Sequence, residues 1–248
     1  MSLGQRKKSN RIEKLWRCNS CKTSVSSKTG TFFENMHLPM NVIFHLIFNW
    51  ACRASIQISS DLVGVSKTTA VQLYTYIRDV CSWKLLHCES EFEYGGQDKV
   101  VQIDESLFTR RKYHVGRQVS KQWVFGMYDC HTKRGYFRFV KDRSAKTLIP
   151  IITQHVLPGT QIWSDEWKGY NSLANVDGVS PYIHKTVKHK SNFVDPISGV
   201  CTYGVEGQWS IVKREFRKRS IMSSKLLPEH LDEYMWRQIY GKSSVSAF

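Results

Sequence analysis

Acidic residues are scarce in this chain. Against 36 lysines and arginines stand only 21 aspartates and glutamates, for a formal net charge of +15 and a pI near 9.6. That balance predicts attraction to polyanions and says nothing about sequence specificity; on composition alone it also fits mere solubility or ribosome association. Long apolar runs are missing too. The most apolar N-terminal window, Val42 to Ala54, is interrupted by His45, Asn49 and Arg53, so it is too short and too polar to span a bilayer. We expect no membrane partner. The first residues, Met1 to Lys8, carry no apolar signal segment, and the seven cysteines are odd in number; both point to a reducing intracellular compartment. No internal repeat is evident, and the only biased stretches are the basic Arg6-Lys7-Lys8 and the small-residue run from Ser243 to Ala247. A second cysteine pair is also lacking. Cys18 and Cys21 have the spacing of a zinc knuckle, yet a structural Zn²⁺ takes four ligands, and His37 and Cys52 are the nearest further candidates. The pair is either a possible Zn²⁺ site or an incomplete ribbon.

What is present is enough apolar material for a core. Hydrophobic residues are 41% and aromatics 12% of the 248 residues, too much for a disordered basic tail. Residues 1–37 read as a basic, turn-rich N-terminus, and residues 38–90 as helical. Leu38, Val42, Leu46 and Trp50 recur every four residues. Ser59 to Val71 then spells a short helix, a glycine turn at Gly64, and Ser66 as N-cap of a second helix: a helix-turn-helix pattern. Lys67, Thr68 and Thr69 would then point at a DNA groove, although helix pairs of this shape also occur as plain packing units.

The acidic, glycine-containing stretch from Glu89 to Asp98 marks a boundary, after which strands are predicted. These are Val100–Asp104, Gln122–Asp129 and Gly135–Val140, followed by a helix capped by Ser144, a fourth strand over Gln161–Ser164, a short helix over Trp167–Ala174 and a loop-like stretch over 175–201. Helices then cover 204–219 and 228–240. Three antiparallel strands, a helix, a further strand and more helices is the order of the ribonuclease-H-like α/β fold, a mixed sheet flanked by helices. It would occupy 98–222, with a C-terminal helix and tail over 223–248.

Three of the few acids sit where such a fold can bring them together. Asp104 ends the run Val100 to Ile103, Asp165 follows the run Gln161 to Ser164, and Glu206 opens an amphipathic helix whose buried stripe is Val205, Trp209, Val212 and Phe216. Clustered carboxylates repel one another without a cation. Two Mg²⁺ or Mn²⁺ ions held by Asp104, Asp165 and Glu206 would supply phosphoryl-transfer chemistry, one activating the nucleophile and one stabilising the leaving oxygen. In a chain this basic the expected phosphate is nucleic acid. Each acid taken singly is also explained as a turn, a cap or a first-turn helix acid.

Longer matches sharpen this. The stretches Val101–Ser106, Val115–Arg117, Trp123–Gly126, Trp163–Tyr170, His189–Pro196 and Val205–Arg214 resemble the ISXO2-like (IS1595-type) DDE transposases, with the eukaryotic Merlin elements as the most similar branch; so do Leu231–Arg237, Trp16–Cys18, Val25–Ser26 and Lys28–Phe33. The resemblance implies that Asp104, Asp165 and Glu206 are the catalytic, metal-holding triad. It implies cut-and-paste DNA strand cleavage and strand transfer on double-stranded DNA, both transposon ends and target, by a homo-oligomer assembled on DNA and, if the source is eukaryotic, in the nucleus. Lys168, His189, Asn192, Lys213 and Arg214 match positions that would contact DNA, with Tyr170 and Trp209 as packing residues. Two departures stand out: Tyr203 replaces an asparagine three residues before the glutamate, and Cys201 replaces an imidazole in the same run. They leave open an alternative, a domesticated or decayed transposase that binds DNA without cleaving it.

Overall fold

The computed structural model describes residues 2–8, 11–108, 121–174, 181–187, 199–218 and 225–241. The chain divides into two compact units, Met1–His45 and Leu46–Phe248. In the first, β1 (Ser2–Lys8), β2 (Arg11–Arg17) and β3 (Ser24–Ser26) form an antiparallel sheet in that order. This basic stretch, which reads as turns in the sequence, pairs Ser2 with Arg17 through Lys8 with Arg11.

Helix α1 (Met40–Ala51) leads into the second unit. Helix α2 (Ile56–Val63) is capped by Ser55, whose hydroxyl accepts from Ile58 N. It ends at Gly64, which lies in the left-handed region (φ 70°) that a side chain disfavours. Helix α3 (Lys67–His87) starts at Ser66, whose hydroxyl accepts from Thr69 N at 3.1 Å. It buries Ala70, Leu73, Tyr74, Ile77, Arg78 and Cys81, the spacing of one helical face. The Tyr74 hydroxyl meets Ser59 Oγ at 2.6 Å and ties the two helices together.

The main sheet follows: β5 (Val100–Leu107), β6 (Trp123–Asp129), β7 (Arg134–Val140), β9 (Gln161–Asp165) and β10 (Ile183–Val187), in spatial order β10-β9-β5-β6-β7. Strands β4 (Tyr94–Gly95) and β8 (Val156–Leu157) pair separately. β5, β9 and β10 run parallel, whereas β6 and β7 are antiparallel to their neighbours. Helix α4 (Ala145–His155) precedes β8 and β9. Helices α5 (Tyr203–Lys218) and α6 (Leu227–Tyr240) close the chain. This is the ribonuclease-H-like fold: a mixed sheet flanked by helices, with β5 at its centre. Phe125, Phe137, Ile103, Leu148, Ile152 and Ile162 are fully buried in its core, each contributing roughly 1.5–3 kcal/mol relative to exposure. At the β6–β7 turn Asp129, 1% exposed, accepts from the backbone N–H groups of Gly95, His131 and Thr132, so its buried carboxylate is fully occupied.

The strands differ most from the sequence reading at β5 and β10. β5 continues past Asp104 because Glu105, Ser106 and Leu107 go on pairing with β6, so Asp104 lies inside the strand rather than at its end. β10 lies within the stretch read as a loop. Its mixed Ile-His-Lys-Thr-Val composition hides a strand that is paired with β9. Among the described residues no helix is long and apolar enough to cross a membrane.

Candidate active site

Side chains alternate along β5, so Gln102, Asp104 and Ser106 share one face and Ile103 and Glu105 the other. Helix α5 lies over the first of these faces and meets it rung by rung. Val205 N donates to Gln102 Oε1 at 3.1 Å, Trp209 Nε1 to Asp104 Oδ2 at 2.9 Å, and Lys213 Nζ to Ser106 Oγ. The rungs coincide because two strand residues advance about 6.7 Å and four helix residues about 6 Å.

Asp165 ends β9. The parallel pairing of β5 with β9 runs through Gln102 opposite Trp163. Asp165 lies two residues beyond that last pair on β9, as Asp104 does on β5. Glu206 follows the first rung on α5, where Thr202 Oγ1 donates to its Oε1 at 2.9 Å. The Asp104 carboxyl is pushed up to about 6, chiefly by burial. The Trp209 N–H and the Glu105 backbone oppose the rise, and the charges of Asp165 and Glu206 add to it. Asp165 and Glu206 therefore lie near enough to bear on the Asp104 carboxyl.

On the opposite face sits an acid that the sequence reading treated only as a neighbour. Glu105 accepts from the Tyr170 hydroxyl and stands 3.9 Å from Arg143 Nη1. Burial, then the charges of Asp104 and Asp165, push its carboxyl up to about 8. Arg143 in turn stacks on Trp123, 4.0 Å from the ring centre. Tyr170 is therefore more than packing. His184 on β10 meets Ser164 Oγ at 2.9 Å; burial lowers its pKa and Asp165 opposes that. The alternation of β5 carried the only signal for Glu105, because it puts the second of two adjacent acids on the other side of the sheet. No signal pointed to His184.

Carboxylate oxygens are hard donors suited to Mg²⁺ or Mn²⁺. Among the described residues no three His, Cys, Asp or Glu side chains stand together as a ready-made metal cage. The residues nevertheless fit such an ion. A buried carboxylate with acidic neighbours gains from a cation, and Mg²⁺ is ordinarily held by one or two carboxylates plus water and substrate phosphate rather than by an all-protein cage. The Cys18–Cys21 pair gains no third ligand of that kind among the described residues. Cys21 is held down to about 7, first by its hydrogen bond to the Thr23 hydroxyl.

Of the residues matched to DNA contact, Lys67 and Thr68 are exposed at the start of α3, while the Thr69 hydroxyl is engaged with the Ser66 cap at 2.8 Å. Lys168 and Arg214 are exposed. Lys213 reaches into the site, where burial lowers its pKa and Asp104 opposes the shift. His189 and Asn192 lie outside the described residues. Tyr203 is exposed, and Cys201 Sγ takes the amide of Gln102 at 3.8 Å.

Residues 96–239, more than half of the chain, match the ISXO2-like transposase domain. The chain belongs to that family. An uncharacterized transposase-like protein of Haemophilus influenzae is 26% identical over 102 residues, which cover 41% of this chain and 78% of that protein. Similar solved structures include a chain of the simian T-cell lymphotropic virus intasome in complex with PP2A regulatory subunit B56 gamma (13% identity, TM-score 0.39, 77% of this chain); this chain spans 65% of that one. Others are the HTLV-2 integrase catalytic core domain in complex with magnesium (13%, TM-score 0.36, covering 58% of this chain and 87% of that one) and a pre-cleavage Mos1 transpososome (12%, TM-score 0.27, 75% and 70%). Within the family's span lie Asp104, Asp165 and Glu206, along with the β5–α5 ladder that holds the first of them.

Proposed function

We propose that this protein is a DDE transposase that cleaves DNA at element ends and transfers the freed strand into target DNA. One observation supports the reading: Asp104 and Asp165 lie on the neighbouring parallel strands β5 and β9, and Asp104 is bonded by Trp209 of α5, the helix that bears Glu206. Asp104, Asp165 and Glu206 would hold two Mg²⁺ or Mn²⁺ ions. When bound, such ions supply an activated hydroxyl nucleophile and charge stabilisation at the leaving oxygen. The protein's own groups do the rest. Trp209 and Thr202 hold Asp104 and Glu206 in place, and Lys213, at the same edge, offers a cation to a phosphate oxygen. Lys67 and Thr68 at the start of α3, with Lys168 and Arg214, contact the duplex.

The same proposal includes a homo-oligomer bridging two element ends, kinship with eukaryotic Merlin elements and, with it, a nuclear location. It also divides the chain functionally into 1–37, the 38–90 helix-turn-helix region, the 98–222 catalytic domain and the 223–248 tail. Purified protein incubated with Mn²⁺ and a duplex carrying the repeats that flank the gene tests it. Cleavage at a defined end, lost in Asp104→Asn and Glu206→Gln, supports the reading; non-specific nicking overturns it in favour of a nuclease. A second reading, a protein that binds DNA without cutting it, is favoured by Tyr203 and Cys201 at positions where relatives carry an amide and an imidazole. Specific binding with no cleavage in Mg²⁺ or Mn²⁺ selects it.

A further inference from the structure

Trp209 looks at first like an ordinary core residue. It is 5% exposed, and its ring packs edge-on against Phe137 (centroids 5.1 Å apart) and Phe108 (5.9 Å). Its single polar atom, however, is spent on Asp104 Oδ2 at 2.9 Å. The indole reaches that oxygen only because of the residue directly across the sheet. Asp104 pairs with Gly126 on β6, and a Cβ at Gly126 would lie 2.5 Å from Trp209 Cζ2 and 2.6 Å from Cη2, inside any real contact. Gly126 does not have the positive φ that would make glycine a backbone requirement. Its lack of a side chain serves clearance, and what it clears is the path of an indole N–H to a buried carboxylate.

We infer that Trp209 is a positioning residue for the Asp104 carboxylate and that Gly126 is the clearance that admits it. The inference rests on the metal-holding role proposed above for Asp104. A carboxylate with two free oxygens rotates about its Cβ–Cγ bond. With Oδ2 held by a rigid, packed ring, that rotation stops and the carboxylate keeps one orientation. The Trp209 ring is itself fixed by Phe137 and Phe108, so the orientation is set before any ion or DNA arrives. Outer groups that orient metal ligands typically affect affinity about 10–100-fold.

The test uses the full chain with ¹⁵N-labelled tryptophan, and reads both the indole N–H peaks and Mn²⁺ affinity by electron paramagnetic resonance of the free ion. The Trp209 peak is the one missing in Trp209→Phe. Without metal, Asp104→Asn moves that peak upfield as its acceptor loses charge; a peak that stays in place overturns the inference. With metal, Trp209→Phe and Gly126→Ala each weaken Mn²⁺ binding about tenfold, while Phe137→Leu, which loosens the ring's packing and leaves the N–H intact, lowers the melting temperature and keeps the affinity. Wild-type affinity in Trp209→Phe, or an equal loss in Phe137→Leu, reduces Trp209 to packing and overturns the inference alone. Wild-type protein that binds no Mn²⁺ overturns the metal site and the inference with it.

Discussion

Two helices at the end of the chain handle buried charge in opposite ways. On α6, charge is paired. Arg237 Nε donates to Glu233 Oε1 at 2.7 Å, its Nη2 to the Trp50 carbonyl at 2.7 Å, and its guanidinium covers the Trp50 ring at 3.9 Å. Arg78 on α3 meets Glu229 at 3.2 Å, and the Ser82 hydroxyl donates to Asp232 at 2.6 Å. On α5 and the strands beneath it, charge of one sign collects. Asp165 and Glu206 press on Asp104, and Asp104 and Asp165 on Glu105, answered within the structure by Arg143 at 3.9 Å from Glu105 and by the partly buried Lys213. Paired charge bolts helices together. Gathered like charge costs stability and is retained where a ligand of the opposite sign completes it.

The largest effect expected from breaking this contrast is on the α6 side. Arg237→Ala leaves Glu233, 1% exposed, without its guanidinium and should cost about 3–5 kcal/mol in urea unfolding, whereas Asp104→Asn should leave the metal-free protein at least as stable as wild type while abolishing cleavage. Next comes pH. The carboxyls of Asp104 and Glu105 are raised from 3.8 to about 6 and from 4.5 to about 8. Over that span the folded state holds protons that the unfolded state has released. Their contribution is therefore full below about pH 4 and is lost as pH rises through 6 and then 8. Calorimetry of metal-free protein should show the melting temperature falling from pH 5 to 8; a rise over that interval contradicts the picture of buried carboxyls that hold their protons in the folded state. Added Mg²⁺ or Mn²⁺ should restore more at pH 8 than at pH 5, and chelation should remove the gain. A smaller effect belongs to Glu105→Gln, which should stabilise metal-free protein at pH 8 by on the order of 1 kcal/mol, about 2–4 °C at this size. It should also flatten the upper part of the pH profile. The smallest is Ser66→Ala. Losing the α3 cap should cost about 1 kcal/mol with Mn²⁺ affinity unchanged, since the cap lies outside the charged cluster.

Much of the architecture was readable because it rests on short-range rules. Ser66 announced the start of α3 and Gly64 the turn before it, since caps and left-handed glycines are local requirements. The core stripe of α5, Val205, Trp209, Val212 and Phe216, follows from helical period alone and is buried as expected. What escaped the reading depends on partners distant in sequence. β10 is a strand because β9 pairs with it, although its own His and Lys suggest a loop. Ser2–Lys8 and Arg11–Arg17 read as basic and turn-rich yet pair as β1 and β2, since backbone pairing depends on a partner strand rather than on an apolar pattern. Trp209 was legible as core, but its bond to Asp104 was not, because nothing near position 209 reports that a glycine 83 residues earlier leaves room for the ring. Glu105 was overlooked for a related reason: only the sheet's two faces separate it from its neighbour.

The ladder between β5 and α5 has one more implication. A strand step of about 6.7 Å and a helix step of about 6 Å drift apart by about 0.7 Å per rung, so such a ladder stays in phase only briefly. It closes after Ser106 and Lys213, and at the next step Phe108 turns to the rings of Phe216 and Trp209 instead. Three matched rungs act like the teeth of a key. Inserting or deleting a single residue between Val205 and Lys213 would swing everything beyond it by about 100° around the helix axis, unseating the teeth together rather than one at a time. The stretch that bears Glu206 should therefore accept substitutions at its outward positions while refusing any change in length.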